Sequence, residues 1–213
     1  MQLERAGQTY YYPSMRHPAT LLFAILLVLL LAGCVSTTTT ITIGENGSGS
    51  MRLEYVVDRS AYETGVFDSG GALPIPVARS DFENAAAAID GIRLRQYRTT
   101  HGDDTVTVTA TLSFDSIDAL VSLFGPAWLT VTTDGTTTTW RQLLVPARDA
   151  AGESGYLAED LDRYTMQFEI DPAPPIISVD GGSLVRNGDA AVAEISLGAI
   201  ARGAQEQYLE VVW

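Results

Sequence analysis

Ten consecutive residues, Thr105 to Phe114, alternate without exception between small hydroxyl side chains and apolar ones. Successive side chains of an extended strand point to opposite faces, so Val106, Val108, Ala110, Leu112 and Phe114 share one face and the hydroxyls the other. A helix would scatter the same residues around its circumference. The segment therefore reads as a strand with one face on a core and one in water, and a chain that contains it must build a sheet. Tyr164, Met166, Phe168 and Ile170 alternate with polar neighbours in the same way, as do Met51, Leu53 and Tyr55. Weaker strand patterns cover Ser36 to Thr42, Ala190 to Ser196 and Gln207 to Trp213. A short segment, Ile176 to Val179, follows the breakers Pro172, Pro174 and Pro175.

The turns set the expected registers. Between the first two strands, a two-residue Asn46-Gly47 turn would set Ile43 opposite Ser50 and separate the apolar sets. A loop with an odd residue count sets Ile43 opposite Gly49 and Ile41 opposite Met51, on one face, and is preferred. Asp134-Gly135 predicts a second hairpin through a type I′ turn, pairing Leu129 with Trp140 and Val131 with Thr138. Ser80 and Glu83 form a capping-box pattern before a helix over 81–89, with Phe82, Ala86 and Ile89 on one stripe. Asp115 is the expected cap of a helix over 115–124, which Gly125-Pro126 ends. Asp68 to Val77 reads as a connector, Thr99 to Asp104 as a turn, and Ala147 to Asp162 as polar with at most a short helix around Tyr156 to Leu161. The expected fold class is α+β, a mostly antiparallel sheet of several strands with two short helices packed on it. Val106, Val108, Leu112, Phe114, Leu120, Phe124, Met166 and Phe168 are expected in one core.

Upstream of these elements the chain changes character. Met15-Arg16-His17 precede Leu21 to Ala32, an apolar run without a charge. This is a basic n-region and an h-region of signal-peptide length, short of the ~20 residues of a membrane span. The run closes on Leu31-Ala32-Gly33-Cys34, which resembles the bacterial lipobox, where small residues precede a Cys that is diacylglyceryl-modified before cleavage. The chain has 1 Cys, and it stands where that motif needs it. A plain transmembrane anchor or a buried thiol is the competing reading. Residues 1–14, with Glu4 and Tyr10-Tyr11-Tyr12, are foreign to such a leader and suggest Met15 as the true start. The expected organisation is a signal peptide over 1–33 and a single domain over 34–213. Acyl chains on Cys34, palmitate among them, would anchor it to the membrane, each buried methylene contributing ~0.8 kcal/mol. The expected location is extracytoplasmic, on a bacterial cell membrane or outer membrane; Val35 in place of Asp after the Cys hints at the outer membrane in enterobacteria-like sorting.

Charge and composition exclude several function classes. The chain carries 26 acidic against 13 basic residues, all of them Arg, for a net charge of −13, which argues against a nucleic-acid partner. With 1 Cys and 2 His there is no disulfide framework and no usual zinc set. Gly152-Glu153-Ser154-Gly155 lacks the nucleophile-elbow spacing of a serine hydrolase. His101, the one His beyond the leader, sits in a turn with Gly102, Asp103 and Asp104, where an exposed turn His is the ordinary reading. Glu159, Asp160, Asp162 and the pair Asp103-Asp104 lack the calcium-loop pattern around them and read as solvated loop acids. No catalytic residue, metal ligand or cofactor is assigned. Arg93, Arg95 and Arg98 form the one local basic cluster. If Ile92 and Leu94 face the core, Arg93, Arg95 and Tyr97 share the opposite face, where an anionic group and a stacked ring could meet. The competing reading is a solvated face neutralised by acids such as Glu54 or Glu169.

Thr105 to Leu120, with its strand ending in Phe114-Asp115 and entering a helix, resembles the LppM-domain family of bacterial envelope lipoproteins. Phe168-Glu-Ile-Asp-Pro172 and Leu209-Glu-Val-Val-Trp213 are similar to that family's late strands. The C-terminal membrane helix that some relatives carry is missing from the pattern. The resemblance implies a lipid-anchored α+β module with no established catalytic set and a role in lipid or glycolipid contact. The expected function is thus a non-enzymatic envelope lipoprotein that binds a lipid, a glycolipid or an envelope protein. The alternatives are a carboxylate-dependent envelope hydrolase acting on a glycan, and an interaction module with no small ligand.

Overall fold

The computed structural model describes residues 35–65, 76–145, 162, 164–185, 188–202 and 206–213. The expected signal peptide, Cys34, most of the 68–77 connector, the Gly152–Gly155 string and the short helix expected near Tyr156 lie outside the described residues.

Seven strands form the larger sheet: β1 (Val35–Ile43), β2 (Gly49–Asp58), β3 (Ile92–His101), β4 (Thr105–Phe114), β7 (Thr165–Pro172), β9 (Ser183–Val185) and β10 (Ala190–Ser196). Their order is β3-β4-β2-β1-β7-β10-β9, with β1 at the centre. The β1–β2 hairpin takes the odd loop: Ile43 faces Gly49 and Ile41 faces Met51, so the apolar residues of both strands stay on one face. β4 alternates as its sequence requires, with Val106, Val108, Ala110, Leu112 and Phe114 all buried. A second sheet contains β5 (Leu129–Asp134), β6 (Thr137–Val145), β8 (Ser178–Asp180) and β11 (Gln207–Val212), in the order β5-β6-β11-β8.

This corrects the expected fold class. The protein is mostly β, and its larger sheet is mixed because β1 pairs parallel with β7. Alternation marks a strand with one buried face, but it carries no sign of strand direction or of what covers that face. Here the second sheet covers part of it. Trp140, Leu144, Leu209 and Val211 form one cluster with Ile41, Phe114, Ile170 and Ala193. Four short helices are described: α1 (Arg59–Glu63), α2 (Arg79–Ala87), α3 (Ile117–Phe124) and α4 (Leu197–Arg202). α1 and α2 supply Ala61 and Phe82 to a second cluster with Val57, Val106, Val108 and Ala110. The core is therefore double where one was expected, and β4 runs through both halves. Leu120 is buried, whereas Phe124 and Phe168 pack on the first cluster half-covered.

The helix ends also differ from expectation. α2 begins earlier than 81, and the Asp81 carboxylate accepts from the Ala78 and Val77 amides at 2.9 and 3.2 Å in place of the Ser80–Glu83 box. α3 is capped by Ser116, whose Oγ accepts from Ala119 N at 3.2 Å, and not by Asp115. That leaves the Asp115 carboxylate available elsewhere. In the β5–β6 hairpin Asp134 pairs with Thr137, Val131 with Trp140 and Leu129 with Gln142, two residues off the expected register. The turn is Gly135-Thr136, with Gly135 at φ 63°, a conformation that glycine adopts without strain.

Tyr55 lies on the buried face of β2, its ring 6.4 Å from that of Phe82 under α2. Burial pushes its phenol up to about 12 from an ordinary 10.0. The unfolded chain therefore loses this proton first, so folding stability should fall as pH rises from about 10 to about 12 and be unaffected by Tyr55 below that window. Denaturant midpoints at pH 9, 10.5 and 11.5, compared between wild type and Tyr55→Phe, check this. The Tyr55→Phe protein should lose less across the window.

Candidate functional site

The basic cluster lies on β3, one edge of the larger sheet. Ile92 pairs with Phe114 and Leu94 with Leu112, but Gln96 pairs with Thr111 and Tyr97 with Ala110. One extra residue, Arg95, is inserted between Leu94 and Gln96 as a β-bulge, and beyond it the facing of every side chain is reversed. Tyr97 therefore belongs to the buried face. Its ring lies 5.9 Å from that of Phe82, and its hydroxyl donates to the Val77 carbonyl at 2.7 Å while accepting from Thr99 Oγ1 at 2.9 Å. The shared face expected for Arg93, Arg95 and Tyr97 does not form. Tyr97 pins the segment before α2 to the sheet and offers no stacking surface.

Arg93 and Arg95 do converge. Arg93 stands opposite Ser113 in the ladder, and Arg95 Nε donates to Ser113 Oγ at 2.8 Å. Arg93 Nη1 reaches Asp115 Oδ1 at 3.0 Å, the carboxylate that does not cap α3. Farther along the same outer face come Gln96 and Arg98, level with Thr111 and Thr109. Arg52, Arg59, Arg79, Arg93 and Arg141 each meet a carboxylate within 4 Å. Arg95 and Arg98, both on β3, have no such partner among the described residues. Glu54, one of the acids expected to neutralise the cluster, pairs with Arg52 at 2.9 Å instead.

The site is an exposed strip on the hydroxyl-bearing sheet face: three guanidinium groups, Gln96 and the Thr and Ser side chains of β4. Each guanidinium has five donors in a fixed fork, and the contacts to Ser113 and Asp115 leave most of them directed to solvent. Such a strip suits a phosphate, sulfate or carboxylate presented on a surface or a polymer. The Arg93–Asp115 pair is more than half exposed on both sides, so it contributes ~0–1 kcal/mol and can open to admit another anion. The Arg93→Gln/Arg95→Gln double variant should therefore keep its melting temperature within about 2 °C of wild type. Differential scanning fluorimetry reads this, and a larger drop would make the strip structural.

Elsewhere the chemistry is sparse. His101 is exposed, its ring edge-on to Tyr62 at 6.0 Å. Among the described residues no group of three or more His, Cys, Asp or Glu side chains could hold a metal ion. A groove of about 450 Å³ on the second sheet is lined by Arg141, Asp180, Glu206, Tyr208 and Glu210. Arg141 stacks over the Tyr208 ring at 4.0 Å, and the Tyr208 hydroxyl donates to Glu206 at 2.7 Å, a bond that raises the phenol above its ordinary range. Glu210 is thus engaged by Arg141 and Glu206 by Tyr208, while Asp180 accepts from the Gly181 amide at 2.9 Å. Sequence reading missed this stack, because Arg141 and Tyr208 meet only through the β6–β11 register. It also missed Asp115 and Ser113 as partners of the cluster, since the bulge that aims Arg95 at Ser113 carries no glycine or proline.

Among the described residues no helix is long and apolar enough to cross a membrane. No protein-family model matches the sequence, and no curated protein sequence matches it. Among solved structures, the chain is similar to the NMR structure of the folded domain of the Mycobacterium tuberculosis LppM protein. The TM-score is 0.51 at 11% sequence identity, over 84% of this chain and 90% of that one. At that identity the likeness is one of fold.

Proposed function

We propose that this protein is a lipid-anchored component of a bacterial envelope, tethered through acyl chains on Cys34, and that it acts as a non-enzymatic binding module. The observation that carries the reading is the junction at residue 34. The uncharged run 21–32 closes on Leu31-Ala32-Gly33-Cys34, and a structured strand begins with the next residue, Val35. The fold likeness to the folded domain of LppM supports the same reading. Metabolic labelling with a palmitate analogue tests it: wild type should carry label and fractionate with membranes, and Cys34→Ser should lose the label. Equal label on both proteins would overturn the anchor.

The contact surface in this reading is the β3 strip of Arg93, Arg95 and Arg98, and the ligand is an anionic group of the envelope. Retention of the soluble 35–213 fragment on an immobilised anionic polysaccharide, and separately on phosphatidylglycerol vesicles, distinguishes glycan from headgroup. Arg93→Gln/Arg95→Gln should reduce retention about tenfold on whichever surface holds the wild type, the loss of two charge-assisted contacts. Unchanged retention would remove the strip from the proposal.

A further inference from the structure

Resting on the anchor proposed above, we infer that one end of the larger sheet is the membrane-facing surface and that the sheet stands up from the bilayer. Cys34 is joined by a single peptide bond to Val35, so their Cα atoms are ~3.8 Å apart. Val35 is already paired with Val57, in the strand at the middle of the seven. A thiol acylated at residue 34 therefore has no linker. The glycerol it carries must sit at the headgroup level, and the row of the sheet containing Val35 must sit directly above it.

That row is fixed by the ladders. Val35 is level with Val57, Val57 with Val106, and Val106 with His101. On one side of β1 this end carries the β3–β4 turn, whose Gly102 carbonyl accepts from the Arg59 guanidinium at 3.3 Å, and α1, capped by Asp58; on the other it carries Tyr164 and the start of α4 at Leu197. The β1–β2 turn at Gly44–Ser48 lies at the opposite end, about 30 Å away at ~3.3 Å per residue. The tether enters the fourth of the seven strands, near the middle of the sheet's width, with β2, β4 and β3 on one side at this end and β7 and β10 on the other. Asp103, Asp104 and Glu63 at the near end oppose close approach to an anionic leaflet, but a tether of one residue does not let the end withdraw.

The orientation also sorts the arginines by height. Arg98 is level with Thr109, Glu54 and Thr38, three residues above Val35, or about 10 Å. Arg93 is level with Ser113, Ser50 and Thr42, seven residues up, or about 23 Å. Arg98 thus comes within a side chain's reach of lipid phosphates of the anchoring leaflet. The Arg93–Arg95 pair stands more than two Debye lengths above them and meets anions that rise from or arrive at the membrane.

The test uses the full chain, acylated in a lipoprotein-processing bacterium and reconstituted into phosphatidylcholine–phosphatidylglycerol vesicles containing a nickel-chelating headgroup lipid. Acylation of Cys34 leaves an introduced Cys as the free thiol. Asp103→Cys and Glu45→Cys, both at exposed turn positions, are labelled with a fluorophore that nickel quenches. The label at 103 should be quenched several-fold more strongly than the label at 45. Equal quenching, or stronger quenching at 45, would overturn the upright orientation while leaving the anchor intact. A labelled protein that does not float with the vesicles and lacks the acyl mass would overturn the anchor, and this inference with it.

Discussion

Phe114→Ala should lower the melting temperature by about 10 °C or more, whereas Phe168→Ala should lower it by about half as much. Phe114 ends β4, is 2% exposed, and contacts the part of the core where the two sheets meet. Removing a fully buried Phe side chain costs ~3–5 kcal/mol, because the cavity left behind collapses only in part. At ~2–4 °C per kcal/mol for a domain of this size, that is a large fraction of the stability margin. Phe168 also alternates inward, on β7, but it is only half-covered, so less apolar area returns to water when it is truncated. Thermal melts of both variants decide the matter. Equal shifts would mean that the two positions are covered alike, against the packing described.

The register of the first hairpin was legible because its alternatives differ in facing. Shifting the β1–β2 pairing by one residue would turn Ile41 and Ile43 away from Met51, and burial forbids it. The β5–β6 register was not legible for the converse reason. A shift by two keeps Leu129, Val131 and Trp140 on one face, so face-matching accepts either arrangement, and only the observed turn at Gly135-Thr136 chooses. The layer above the larger sheet was equally silent in the sequence. Trp140 and Leu209 alternate as any half-buried strand residue does, and nothing in that pattern says that their partners are Ile41 and Phe114.

At the site, the arginines were found from their clustering but their geometry was not. Ile92 and Leu94 keep a period of two, yet the next ring on the buried face is Tyr97, three residues on. That break in period was the available trace of the bulge, and reading straight through it placed Tyr97 beside Arg93. The proposed anchor at Cys34 shows the opposite balance. Its motif is wholly local, so 31–34 could be read without knowing the fold, while the absence of a linker became visible only when β1 was seen to begin at Val35.

Gly49→Ala should destabilise the protein by about 3 kcal/mol, a large effect for one added methyl group. Gly49 starts β2 between Ile43 and Phe114 in the ladders, and a Cβ built there would collide with the Thr42 carbonyl oxygen and lie 2.5 Å from Phe114 Cζ. The hydrogen in place of a side chain is what lets the Phe114 ring lie across the end of the hairpin. Two conflicts of different kinds follow from the substitution. The ring can be removed, whereas the Thr42 carbonyl belongs to the backbone of the central strand and can yield only by distorting it. A double-mutant cycle with Phe114→Ala separates them. In the Phe114→Ala background the ring conflict is gone and the new methyl group fills part of the cavity. The double variant should therefore be less destabilised than the sum of the singles by roughly 1–2 kcal/mol, well outside the ~0.5 kcal/mol scatter of independent sites. Urea midpoints for the four proteins give the coupling directly. Additive losses would show that the ring does not depend on the missing side chain at 49.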